Sequence, residues 1–170
     1  MAEPAILILG VGNILLGDEG VGVRVVEQLL QHYHFSDQVE LVDGGTAGLE
    51  LLACLDGKKE MIIIDAMAGH EPAGTVKKMI LADPPAFFQN RISPHQLGLS
   101  EMLSCAAMTD SLPEHITLYG IIPHSLETGL TLSSPVTGAM QEVMAKIIAD
   151  LSNLGVSMTP KEVQIALKAT

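Results

Sequence analysis

ILILGVGNILLGDEGVG, from Ile6 to Gly22, opens as an almost wholly apolar run, turns through glycines and passes into a helical pattern. An apolar run bounded by glycine is what a strand covered on both faces requires. The following VGVRVVEQLLQHY (Val21–Tyr33) repeats apolar residues at helical spacing. Strand, glycine turn and helix in this order start a parallel α/β sheet, and the rest of the chain continues the alternation. AILILG (Ala5–Gly10), VELVDG (Val39–Gly44), MIIIDA (Met61–Ala66), VKKMIL (Val76–Leu81) and ITLYGII (Ile116–Ile122) predict strands. GLELLACL (Gly48–Leu55), LGLSEMLSCAAM (Leu97–Met108) and VTGAMQEVMAKIIADLSNL (Val136–Leu154) predict helices, the last closed by Gly155.

The expected architecture is an α/β three-layer sandwich: a twisted, mostly parallel five-stranded sheet with helices on both faces. VKKMIL follows its predecessor after a short Gly/Pro loop, which predicts an antiparallel edge strand guarded by Lys77 and Lys78. No repeat or linker divides the chain, so residues 1–170 read as a single domain. The tail from Val156 to Thr170 reads as a short surface helix.

Hydrophobic residues make up 48% of the chain and aromatics only 3%, so the core must be built from Val, Ile, Leu, Met and Ala. A formal net charge of −11 argues against nucleic acid or an anionic membrane as partner. Cys54 and Cys105 form no CxxC pattern, as expected in a reducing compartment. MAEPAILILG lacks a basic n-region, and no run approaches the roughly 18–20 apolar residues of a spanning helix. A cytoplasmic monomer is the expectation.

Ligands of such sheets bind beyond the carboxyl ends of the strands, where strand order reverses. The turns there read GVGNILLGDEG, DGGTAG, DAMAGHEPAG, ISPHQLG and PHSLETG. They gather acids and imidazoles, with Arg91 the one cation nearby, which suits a cation better than an anion. A dinucleotide site is disfavoured on the same ground. The glycines are spaced GxGxxxxG rather than GxGxxG, and Asp18 and Glu19 would face a pyrophosphate. Walker and GxSxG patterns are absent.

Each polar position also has a structural account. Asp18 suits an N-cap, and Glu19 suits the first turn of a helix through the dipole. Asp43 before two glycines can shape its own loop. Asp65, ending a strand as apolar as MIII, needs a partner for its carboxylate. In SPHQ, Ser93 suits an N-cap, Pro94 the first helical position and Gln96 a capping box. His95 there faces the positive end of a helix dipole, which predicts a neutral ring free to be a ligand. His70 and His124 are weaker candidates.

Taken as a set, GVGNILLGDEGVG, DGGTAG, IIIDA and ISPHQLG resemble the endopeptidases that mature nickel–iron hydrogenases, over about Ile6 to about Leu154. The resemblance implies a small cytoplasmic α/β protein that removes a C-terminal extension from the hydrogenase large-subunit precursor. It implies action after nickel insertion, with the precursor's nickel recognised. The metal-binding positions of that family fall on Glu19, Asp65 and His95, and Asp43 is carried over as support for the site. The SPHQLG form is similar to the branch serving uptake-type hydrogenases. MAGHEPAG and the tail beyond Gly155 carry no signature, so His70 receives no role.

Two carboxylates and an imidazole form a mixed O/N set that suits nickel or zinc. No Ser or Cys nucleophile stands in motif context, so water is the expected attacker. An Asp assists it, with Asp18, Asp43 and Asp65 as candidates, in acid-type or metal-assisted hydrolysis. Rival readings are a nickel-handling chaperone with the same ligands and a nucleotide-binding oxidoreductase.

Overall fold

The computed structural model describes residues 5–89 and 93–162. Strand β1 (Ile6–Val11) is buried along its whole length, and β4 (Glu60–Ala66) is buried from Met61 onward. Together with β3 (Val39–Gly45), β5 (Val76–Ile80) and β6 (His115–Ile121) they make one sheet in the order β3-β1-β4-β6-β5. The pairs β1–β3, β1–β4 and β4–β6 are parallel, while β5 runs antiparallel to β6 at the edge. This is the mostly parallel five-stranded sheet the sequence predicts, with its antiparallel edge where Lys77 and Lys78 lie.

The period-two alternation of the central strands divides the core. Ile6 and Ile8 of β1 and Ile62 and Ile64 of β4 face α1 (Val21–His32) and α4 (Ser134–Asn153). Leu7, Leu9, Met61 and Ile63 face the other layer, where they meet Leu99, Met102 and Leu103 of α3 (Pro94–Met108). The 3-10 turn Leu49–Leu55 adds Leu51 and Leu55 to that layer. A strand sandwiched between two apolar layers carries no polar alternation, which is why MIII could be read as central.

Strand β3 lies on one side of β1 and β4 on the other, so strand order reverses between β1 and β4. The turn after β1 therefore opens into the crevice where such sheets bind ligands. Gly12 makes that turn possible, with φ +129 and no room for a Cβ, which would overlap the Glu19 carbonyl oxygen. Residues 17–20 form a 3-10 turn before α1.

Three elements went unpredicted. Tyr33–Phe35 forms β2, pairing antiparallel with β7 (Met158–Pro160). No glycine or proline separates Tyr33 from the helix before it, so the periodicity concealed the change of conformation. The described part of the tail is thus a strand and not the expected helix. Gly155 turns the chain at φ +74, and Met158 packs against the α1/α4 core. Residues 163–170 of the expected helix, and Arg91, lie outside the described residues. The third element, α2 (Pro84–Gln89), starts where Asp83 Oδ1 accepts the Ala86 N–H at 3.1 Å.

Candidate functional site

Three segments meet at the carboxyl end of β1 and β4. The 3-10 turn after β1 brings Glu19, the end of β4 brings Asp65, and the first turn of α3 brings His95 and Gln96. All four side chains are buried. His95 Nε2 lies 3.0 Å from Asp65 Oδ1, and Gln96 Nε2 donates to Asp65 Oδ2 at 2.8 Å. His95 Nδ1 lies 3.6 Å from Glu19 Oε1 and 3.1 Å from Ser93 Oγ. The apolar strand end thus gives Asp65 the partners that a buried carboxylate demands.

A cavity of about 790 Å³ opens in front of this cluster. Glu19, Ser93, His95 and Gln96 form its polar side, and Ala66, Ala68, Ala86, Pro123 and Leu126 line its apolar side. Asp65, 2% exposed, sits behind the imidazole and the amide. The imidazole therefore stands between two carboxylates, with one nitrogen bonded to Asp65 and the other toward Glu19. Among the described residues no group of three acidic, His or Cys side chains is arranged to hold a metal ion. For Glu19, Asp65 and His95 to share one ion, the ring must turn away from its bond with Asp65.

The electrostatics correct one expectation. Burial works against a charged His95, but the hydrogen bond and charge of Asp65, with the charge of Glu19, raise its pKa above the ordinary value. The two carboxylates thus pull the ring in the direction opposite to the helix dipole. Burial raises the pKa of Glu19, and the Asp65 charge adds to this against the opposing pull of His95.

The structure does not bring the other two candidate acids into this cluster. Asp18, 1% exposed, accepts at Oδ2 from the backbone N–H groups of His124 and Ser125, at 2.8 and 3.1 Å. It also accepts from Ser133, through N–H at 2.7 Å to Oδ1 and through Oγ at 2.8 Å to Oδ2. Burial alone would raise its pKa, but these bonds prevail and hold the carboxyl below its ordinary value. Asp18 is a clasp between two loops, reinforced where Gly17 donates to Gly129 O at 2.9 Å and Gly129 donates to Leu15 O at 2.9 Å. Asp43 is exposed and accepts from the Gly45 N–H at 2.9 Å, shaping its own turn. His70 and His124 are exposed.

The expected capping box is not formed, for Ser93 makes no side-chain cap and the Gln96 amide goes to Asp65 instead. Sequence reading missed Gln96 as a site residue because its spacing from Ser93 already had a local explanation. The need of Asp65 for a partner was the signal that pointed elsewhere. Ser133 was missed too, and nothing local to SSPV marks it.

A profile of the hydrogenase maturation protease family matches residues 23–150. The chain is 47% identical over 160 residues to the hydrogenase 2 maturation protease of Escherichia coli K12, covering 92% of this chain and 96% of that one. Its fold is similar to that of the hydrogenase maturating endopeptidase HybD from E. coli, with a TM-score of 0.87 and 44% identity over 92% of this chain and 97% of that one. The [NiFe] hydrogenase maturation protease HybD from Thermococcus kodakarensis is similar at a TM-score of 0.71 and 25% identity, over 86% and 97% of the two chains.

Proposed function

Since this chain belongs to the hydrogenase maturation protease family, we propose that its buried Glu19–His95–Asp65 cluster reads the nickel carried by its substrate. The chain is a hydrolase, an endopeptidase that processes a hydrogenase large-subunit precursor. The bond it breaks joins the mature subunit to a C-terminal extension, and nickel insertion precedes the cut.

The observation that carries this reading is the placement of Glu19 and His95 at the switch point, facing a cavity, with Asp65 directly behind the imidazole. In the reaction we infer, the precursor enters with nickel held by its own groups, and His95 turns from Asp65 toward it. Glu19, His95 and Asp65 Oδ1 then offer a mixed O/N set of the kind nickel accepts. Docking fixes the scissile bond in the cavity, so that a water attacks its carbonyl without the entropy loss of a free encounter. Of the three candidate acids only Asp65 belongs to this cluster, and its Oδ1 becomes free for nickel or for that water when His95 turns away. Both oxygens of Asp18 are filled by loop donors, and Asp43 bonds its own turn. We place the reaction in the cytoplasm, where free thiols such as Cys54 and Cys105 persist, and take the protein to act as a monomer. No helix among the described residues is long and apolar enough to cross a membrane.

The test is to incubate the protein with nickel-loaded and nickel-free precursor and follow the precursor by intact mass. Loss of a C-terminal fragment from the loaded form alone is expected. Equal cleavage of both forms overturns nickel recognition.

A further inference from the structure

We propose that Gln96 is a positioning residue that fixes the Asp65 carboxylate and leaves Oδ1 as the oxygen that acts. The Gln96 side chain is buried and reaches across from the first turn of α3 to the end of β4. Its Nε2 donates to Asp65 Oδ2 at 2.8 Å and to the Ala66 carbonyl oxygen at 3.3 Å. An amide nitrogen has two hydrogens, and both are used. The orientation of the amide is also settled, because a flipped group would set its oxygen against two acceptors.

Each oxygen of Asp65 consequently has a different kind of holder. Oδ1 is bonded to His95, a titratable ring at the cavity wall. Oδ2 is bonded to an amide that neither titrates nor can turn without losing two bonds. When His95 swings toward the substrate, as the proposed function requires, Asp65 loses the bond at Oδ1. Gln96 keeps the carboxylate plane in place through Oδ2. Consecutive residues of one helical turn thus supply the releasable partner and the permanent one. Groups that orient an acting carboxylate or imidazole from behind commonly alter affinity or activity by about 10- to 100-fold when removed.

The inference rests on the proposed function for its role and on the hydrogen bonds for its geometry, so two measurements separate them. Gln96→Met keeps length and volume but has no donor. With wild-type protein as reference, its kcat on nickel-loaded precursor should fall about 10- to 100-fold, while KM changes less than about threefold. Gln96→Glu keeps the shape but sets a carboxylate against Asp65, and its kcat per folded molecule should be lower than that of Gln96→Met. A side chain that only fills space predicts wild-type kcat in Gln96→Met, and that result overturns the proposal.

The second measurement does not use activity. In the NMR spectrum the Gln96 side-chain amide protons should be shifted downfield and slow to exchange. They should vanish in Gln96→Met and move in Asp65→Asn. Amide protons that exchange as fast as those of a surface glutamine overturn the geometry whatever the enzyme does. A wild-type protein that cleaves no precursor but shows the protected amide overturns the function and spares the hydrogen-bond assignment.

Discussion

Asp18 and Glu19 are consecutive in the chain, yet their carboxylates belong to different structures: Asp18 is bound by His124, Ser125 and Ser133, and Glu19 lines the cavity. One peptide bond separates a clasp from a site residue. The acidic mouth that makes this loop unfit for phosphate is thus half architecture and half chemistry.

The clasp predicts a stability effect. Asp18→Asn supplies one acceptor oxygen where two oxygens took four bonds, and its NH2 group meets a donor. A buried donor left unsatisfied costs about 1–3 kcal/mol. The melting temperature should fall by several degrees, with a rise in KM because Pro123 and Leu126 of the clasped loop line the cavity. The pH dependence follows from the lowered pKa of Asp18. A carboxyl held below its ordinary value stabilises the fold above about pH 3.9 and loses that contribution as pH falls through the lower folded value. The gap between wild type and Asp18→Asn in thermal melts should therefore shrink on acidification. A variant that keeps wild-type stability but has no turnover would make Asp18 a reacting group instead.

The sheet was legible because its central strands are apolar on both faces and its turns carry glycine. Asp65 stood out because a carboxylate ending so apolar a strand needs a partner, whereas Glu19 and His95 had local accounts and were singled out as a set with it by the family resemblance. What the sequence concealed were side chains whose partners lie far along the chain. Asp18 had a local explanation as an N-cap and Gln96 as a capping box, and both instead serve tertiary bonds across 106 and 31 residues. The protonation of His95 was misjudged for a related reason: the dipole is local to its helix, whereas the two carboxylates come from other loops.

His95 and Glu19 predict a loss of function without loss of fold. His95→Ala removes the imidazole from a helical position that tolerates alanine. Processing of nickel-loaded precursor should cease, while circular dichroism remains that of the wild type. Glu19→Gln keeps shape and removes charge, so weaker engagement of loaded precursor is expected, read as a higher KM. Wild-type processing by His95→Ala would remove the imidazole from the site.

Asp65→Asn distinguishes a turn-forming acid from one that acts. Asparagine keeps an oxygen for the Gln96 amide, so the bonding at Oδ2 survives. The charge that draws His95 and the arriving cation does not. A transition-state loss of about 3–4 kcal/mol corresponds to a rate drop of about 100- to 1,000-fold. The melting temperature should change little at high pH and fall on acidification, where the Asp65 charge holds the His95 imidazolium. An active but unstable Asp65→Asn would return the residue to a structural role.

The raised pKa of His95 predicts that stability and activity respond to pH in opposite directions. The imidazolium between Asp65 and Glu19 stabilises the free protein fully below about pH 6.5, the ordinary value. That contribution is lost as pH rises through the higher folded value. Docking of the nickel-loaded precursor requires the unprotonated ring, so kcat/KM should rise through the same interval, by about tenfold per pH unit on its acid side. Asp65 and Glu19 both raise this pKa, and removing either charge should move it down. In Glu19→Gln, the His95 titration followed by NMR and the acid limb of kcat/KM should shift together to lower pH. A limb that stays in place while the NMR midpoint moves would mean that another group sets the acid side of the reaction.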